Sequence, residues 1–263
     1  MEVKPFAILL AICMSGAVVG GNTERESRLV VPKLQKQKKE GRVNSKVIYY
    51  YYDNGIDRDL KHLFEEAIKA WKDYTCIGFK KVKYEKSAIL VENTGPYCSH
   101  SGKPGQEQWL NIGCGDFTGV AHEVGHALGL EHTHSRPDRD QYLTVNWTNV
   151  ETFRAQYEKK AGNTTDYRGI LYDYGSIMHY GANDTNPSMI PNDKNHKRTI
   201  GSQAISFADL LEVNKRHNCE EKCRSDERAV QCEYQGFLNP KNCSTCVCPS
   251  GYGGRACGDK VLQ

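Results

Sequence analysis

The chain has 263 residues, 38% of them hydrophobic and 25% charged, with a formal net charge of +3. That length suits one main domain plus smaller segments, with enough chain to bury a sizeable core. Seven basic and three acidic residues fall within residues 22–42, so the chain from Val43 onward is near −1, which argues against a nucleic-acid partner.

Lys4 precedes an apolar run over residues 6–14, and small residues follow. This pattern reads as a secretory signal peptide over residues 1–21, cut near Gly20 or Gly21. The run is short for a membrane span of about 20 residues, and no later segment is apolar enough to cross a bilayer. Residues 22–42 are polar and lysine-rich, contain Pro32, and read as a short pro-segment cut after Arg42. Val47, Ile48 and Tyr49 to Tyr52 form a good strand candidate. Asp57 can cap the helix that follows, and Leu60, Leu63, Phe64, Ala67, Ile68, Trp71 and Tyr74 make one helical stripe, a core-packing pattern. Residues 80–84 and 88–91 look like further strands.

Residues 122–132 read His-Glu-Val-Gly-His-Ala-Leu-Gly-Leu-Glu-His. A helix turns about 100° per residue, so His122 and His126 share a face and can bind one metal ion. His132 would lie about 240° off that face on a continued helix. Gly129 sits where the helix must break, because glycine takes left-handed angles at little cost. The break can return His132 as a third ligand. Three protein ligands leave a position for water, and Glu123 is placed to accept its proton. Val120, Ala121, Val124, Ala127 and Leu128 fit a buried helix. The two-histidine core is a zinc-peptidase signature, and the third histidine with a later methionine turn marks the metzincins.

Residues 176–180 read Ser-Ile-Met-His-Tyr, and residues 134–140 read His-Ser-Arg-Pro-Asp-Arg-Asp. With Tyr74-Thr-Cys-Ile-Gly-Phe79 and the stretch over 201–209, these motifs closely resemble the astacin family of metzincins from Val47 to Cys219. The resemblance implies an α+β, two-lobed catalytic domain over residues 43–219, with one zinc ion in the cleft. It implies His122, His126 and His132 as zinc ligands, Glu123 as general base, and Met178 as the hydrophobic floor under the metal. Tyr180 would coordinate the resting metal and swing away to stabilise the oxyanion of the tetrahedral intermediate. His179 has no such argument and reads as a supporting residue. His134 reads as solvated or hydrogen-bonded rather than as an extra ligand. A strand over residues 97–103 should border the cleft, where an extended substrate could add to its edge.

Two features depart from the family. Thr133 stands where relatives usually carry a glutamate that pairs with the new amino terminus, and a neutral side chain cannot make that salt bridge. No aspartate precedes Asp53 and no cysteine lies between Cys13 and Cys76, so neither of the usual latency devices is available. Glu40 is a conceivable blocking group.

Eleven cysteines in an exported chain imply a disulfide framework, and ten remain once Cys13 leaves with the signal. The resemblance implies the bonds Cys76–Cys219 and Cys98–Cys114. Residues 220–263 hold the last six cysteines and resemble an EGF-like module, in which disulfides replace a large core. Cys248–Cys257 is the expected closing bond, with Cys223–Cys243 and Cys232–Cys246 completing the pattern of such modules. A cysteine-rich metal knuckle is the alternative reading of this tail, and an oxidising compartment argues against it. Asn146, Asn163, Asn183 and Asn242 stand in glycosylation signals.

The expected protein is a secreted zinc endopeptidase acting on internal bonds of proteins or peptides, with an extracellular partner for the tail as a further expectation. One rival is a non-catalytic adhesion protein with a structural zinc. Structural zinc is usually closed by four protein ligands, whereas this motif offers three histidines and a free carboxylate. Another metzincin branch is the closer rival, and Met178-His-Tyr180 with the Arg-Pro-Asp-Arg-Asp segment favours the astacins.

Overall fold

A computed structural model describes residues 46–162, 167–182 and 185–261. The signal and pro-segment readings, with Glu40 and Arg42, lie outside the described residues, as do Asn163 and Asn183. The first lobe is a five-stranded sheet in the order β2-β1-β3-β5-β4. Its strands are β1 (Val47–Tyr52), β2 (Gly78–Lys81), β3 (Ile89–Glu92), β4 (Cys98–Gly102) and β5 (Gln108–Ile112). Only the β4–β5 pairing is antiparallel, which leaves β4 as an edge strand. The strand expected over residues 80–84 begins earlier and ends at Lys81, because Val47↔Gly78 to Tyr50↔Lys81 is the register with β1. The strand expected over 88–91 runs one residue later.

Helix α1 (Arg58–Asp73) begins at Asp57, whose side chain accepts from Leu60 N at 2.8 Å. That bond satisfies one of the donors a helix start leaves unpaired. Its stripe buries Phe64, Ala67, Ile68 and Trp71 against the sheet and α2 (Phe117–Ala127). Trp71 is fully buried, and its Nε1–H donates to the Ala121 carbonyl at 3.0 Å. That bond lets a large apolar side chain carry a polar atom inside at little cost. It also fixes α2, and with it the histidine run, against α1.

The second lobe has less regular structure and its own core around Leu143, Val145, Tyr172, Tyr174 and Met189. It holds a short antiparallel pair, β6 (Leu143–Val145) with β7 (Met189–Pro191). Helix α3 (Phe207–Arg216) follows, with a reciprocal capping box between Ser206 and Asp209. Cys76 is bonded to Cys219 across 143 residues, and Cys98 to Cys114 beside the start of α2.

The cysteine-rich tail carries the hairpin β8 (Phe237–Asn239) and β9 (Asn242–Val247), with bonds Cys223–Cys243, Cys232–Cys246 and Cys248–Cys257. A second small pair joins β10 (Tyr252–Gly253) to β11 (Asp259–Lys260). Val247 belongs to the main core cluster, and the Phe237 ring lies 5.4 Å from that of Phe207. The tail is thus packed onto the main core at the start of α3. Among the described residues no helix is long and apolar enough to cross a membrane.

Candidate metal centre

Helix α2 starts at Asp116, whose side chain accepts from Gly119 N at 2.8 Å. It ends as a glycine-terminated helix should. Gly129 has φ +93°, Gly129 N donates to His126 O at 2.8 Å, and Leu130 N donates to Gly125 O at 3.0 Å. This pair of bonds is the Schellman arrangement, and it satisfies carbonyls that the helix leaves open. The chain then turns back and brings His132 to the two helical histidines.

The Nε2 atom of His132 lies 3.0 Å from Nε2 of His122 and 3.1 Å from Nε2 of His126. These three side chains form a cluster able to hold a metal ion. The other ring nitrogens explain the orientation. His122 Nδ1 donates to the Ile177 carbonyl at 2.7 Å, and His126 Nδ1 donates to the Leu130 carbonyl at 2.8 Å. A carbonyl can only accept, so both Nδ1 atoms carry the proton and both Nε2 atoms present lone pairs. His132 Nε2 meets both of these lone pairs, and a cation held among the three nitrogens would be bound by all of them. Tetrahedral zinc with bonds of about 2.0–2.1 Å would space its nitrogens by about 3.3–3.4 Å, close to the observed separation. The donor set therefore fits zinc.

Burial favours the neutral rings that a metal needs. It lowers the pKa of His122, pushes His126 down to about 3, and pushes His132 down to about 2, with repulsion among the histidines adding to the last two. Glu123 lines the same cleft and is 9% exposed; burial pushes its carboxyl up to about 7. The cleft has a volume of about 720 Å³ and takes its walls from β4, the start of α2, Gln156, the Ile177–Gly181 stretch and residues 201–203.

Met178 is 1% exposed and lies under α2, where its sulfur fills the space beside Gly125. Tyr180 is partly buried, its ring 4.6 Å from the His132 ring, and its hydroxyl donates to Gln156 Oε1 at 3.4 Å. His134 stacks on the trio, its ring 5.0 Å from that of His132, but its nitrogens are engaged elsewhere: it is fully buried, its Nε2 donates to the Gln156 carbonyl at 3.1 Å, and its Nδ1 accepts from Tyr180 N at 3.3 Å. His179 is also buried, with Nδ1 donating to the Tyr180 carbonyl and Nε2 accepting from the Tyr172 hydroxyl, both at 2.8 Å. Asn146 and Asn242 lie away from the cleft lining.

Two cleft residues escaped the sequence reading. His100 on β4 lies with its ring 6.0 Å from that of His126, and its Nε2 is held by Gln108 Oε1 at 2.9 Å. Strand alternation could have found it, since residue 100 shares a face with Cys98, which is tied to Cys114 beside α2. Gln156 comes from a 3-10 turn (Glu151–Tyr157) and left no periodic signal.

A two-lobed α+β fold with three imidazoles and a carboxylate in the cleft defines the metzincin class of zinc-binding hydrolases. Comparison with known proteins narrows this. The model of the Astacin peptidase family matches residues 35–218, and the chain belongs to that family. It is 38% identical over 220 residues to zinc metalloproteinase nas-31 of Caenorhabditis elegans, covering 81% of this chain and 36% of that protein. It is 33% identical over 246 residues to zinc metalloproteinase nas-17 of the same species, covering 92% of this chain and 54% of that protein. The chain thus spans about a third to a half of the length of these curated relatives. Among solved structures it resembles high choriolytic enzyme 1, a hatching enzyme zinc-protease from Oryzias latipes (Medaka fish). The identity there is 32%, the TM-score is 0.58, and the match covers 65% of this chain and 89% of that one.

Proposed function

We propose that this chain is a secreted zinc-dependent endopeptidase that hydrolyses internal peptide bonds of extracellular proteins. The observation that carries the reading is the convergence of three Nε2 atoms beside the buried carboxylate of Glu123 in one open cleft. His122, His126 and His132 would hold one zinc ion per chain. Zinc in that position supplies Lewis acidity, polarising a carbonyl and lowering the pKa of water to about 7. Glu123 would accept a proton from the attacking water and pass it to the leaving amine. Its low exposure supports that role, because burial raises its proton affinity toward neutrality. Tyr180 would donate its phenol hydrogen bond to the developing oxyanion, and Met178 would floor the histidine cluster.

Residues 1–21 would be a signal peptide, 22–42 a short pro-segment, 43–219 the catalytic domain and 220–263 an EGF-like module. Five disulfides support an oxidising, extracellular setting. Asn146, Asn163, Asn183 and Asn242 would be glycan acceptors there, and the tail would offer a surface to an extracellular partner.

The test is cleavage of a denatured protein by the purified chain starting at Val43, with and without a zinc chelator, beside Glu123→Ala. Chelator-sensitive cleavage lost in the variant is the expected result. Zinc-loaded, folded protein that cuts nothing would sink the reading and favour a binding protein on this scaffold.

A further inference from the structure

Thr133 directly follows the third histidine, and its surroundings assign it work. Its hydroxyl donates to Ser176 Oγ at 2.8 Å, and Ser176 Oγ donates in turn to Asp209 Oδ1 at 2.5 Å. Asp209 Oδ2 accepts from Ile177 N at 2.9 Å and from Ser206 N at 2.8 Å. Met178 N also donates to Ser176 Oγ at 3.0 Å, while Thr133 N donates to the Met178 carbonyl at 3.0 Å. Thr133, Ser176, Ser206 and Asp209 are all buried.

This set of bonds joins three separate pieces of chain: the His132 segment, the turn around Met178, and the first turn of α3. Both outer ends matter to the metal centre. The turn offers the Ile177 carbonyl that fixes the ring of His122. The Thr133 end adjoins His132 itself. Asp173 flanks the set: its side chain bonds that of Ser206, and burial, joined by the Asp173 charge, raises the pKa of Asp209.

We propose that Thr133 is a positioning residue for the metal centre. Its hydroxyl locks the third histidine to the turn that orients the first, through Ser176 and Asp209. The inference rests on the three histidines being the zinc ligands. Partners that orient ligands typically change metal affinity by about 10–100-fold when removed. Thr133 acts one bond further away, so the lower end is expected.

The experiment uses the chain starting at Val43 with its disulfides intact. Zinc affinity is measured by chelator competition for the parent, Thr133→Val and Thr133→Ser, and the metal-free melting temperature is recorded for each. Valine keeps the shape and loses the hydroxyl; serine keeps the hydroxyl and loses a methyl group. The expected result is zinc held about tenfold more weakly in Thr133→Val and parent-like affinity in Thr133→Ser. Parent-like zinc affinity in Thr133→Val, even with a lowered melting temperature, would reduce the hydroxyl to a structural role and overturn the proposal. If Thr133→Val does not fold, Thr133→Ser still decides, because weakened zinc binding with the hydroxyl present contradicts the inference. A parent that binds no zinc would instead refute the ligand assignment.

Discussion

Gly125 sits between the two helical histidines, and adding one methyl group there is a sharp test of the packing under the metal centre. A Cβ at this position would lie 2.6 Å from Met178 Sδ and 3.3 Å from Trp71 Cζ2. Ordinary contacts between such atoms are about 3.5–4.0 Å, so the overlap with the sulfur is about 1 Å. Neither neighbour has room to retreat: Met178 is 1% exposed and Trp71 is fully buried, with its Nε1 bonded to Ala121 O. Overpacking of this kind costs about 1–3 kcal/mol. Against it, alanine is favoured over glycine in a helix interior by about 1 kcal/mol. With two neighbours that cannot retreat, the clash belongs in the upper part of that range, about 2–3 kcal/mol, so Gly125→Ala should destabilise the fold by about 1–2 kcal/mol. For a domain of this size that is a melting temperature lowered by about 2–8 °C. Thermal unfolding by circular dichroism, with disulfides kept oxidised, reads it directly. An unchanged or raised melting temperature would show that the sulfur yields freely and that Met178 does not fix the floor of the site.

Other substitutions probe other parts of the account. Arg136 holds Asp138 through two bonds, Nε to Oδ1 at 2.9 Å and Nη2 to Oδ2 at 2.8 Å, and stacks over Tyr167, with its centre 4.1 Å from the ring. Arg136→Ala leaves Asp138 buried and unpaired, so urea unfolding should show a loss of about 3–5 kcal/mol, and a loss below about 1 would refute the brace. His179 has its folded-state pKa pushed down to about 4 by burial, below the ordinary value near 6.5. The unfolded chain therefore binds the extra proton between those values, and the folded parent loses stability as pH falls through that window. His179→Gln removes this linkage. Its stability deficit relative to the parent should narrow by about 1.4 kcal/mol per pH unit from pH 6.5 to 4, and a pH-independent deficit would contradict the assignment.

Much of the site was legible because local chemistry dictated it. The i and i+4 spacing put His122 and His126 on one face, and Gly129 marked the break that its φ of +93° carries out. Asp57 and the stripe ending at Trp71 were equally readable, since a cap and a helical period are local properties. Strand ends were less so: the residues at 80–84 alternate well, yet pairing with β1 selects Gly78 as the start. The start of helix α3 is also written locally, in the capping-box spacing of Ser206-Phe-Ala-Asp209, although the family resemblance of that stretch is its more conspicuous feature. What sequence could not supply is the meeting of distant segments. Thr133 bonding Ser176, Gln156 under Tyr180, and Phe237 beside Phe207 each depend on tertiary packing that no local period encodes.

The central claim is that His122, His126 and His132 jointly bind zinc, and anomalous diffraction at the zinc absorption edge tests it most directly. The account predicts one strong peak per chain, about 2.0–2.1 Å from all three Nε2 atoms, with Glu123 outside bonding distance. A peak elsewhere, or one that draws Glu123 in as a fourth ligand and closes the site, would contradict it.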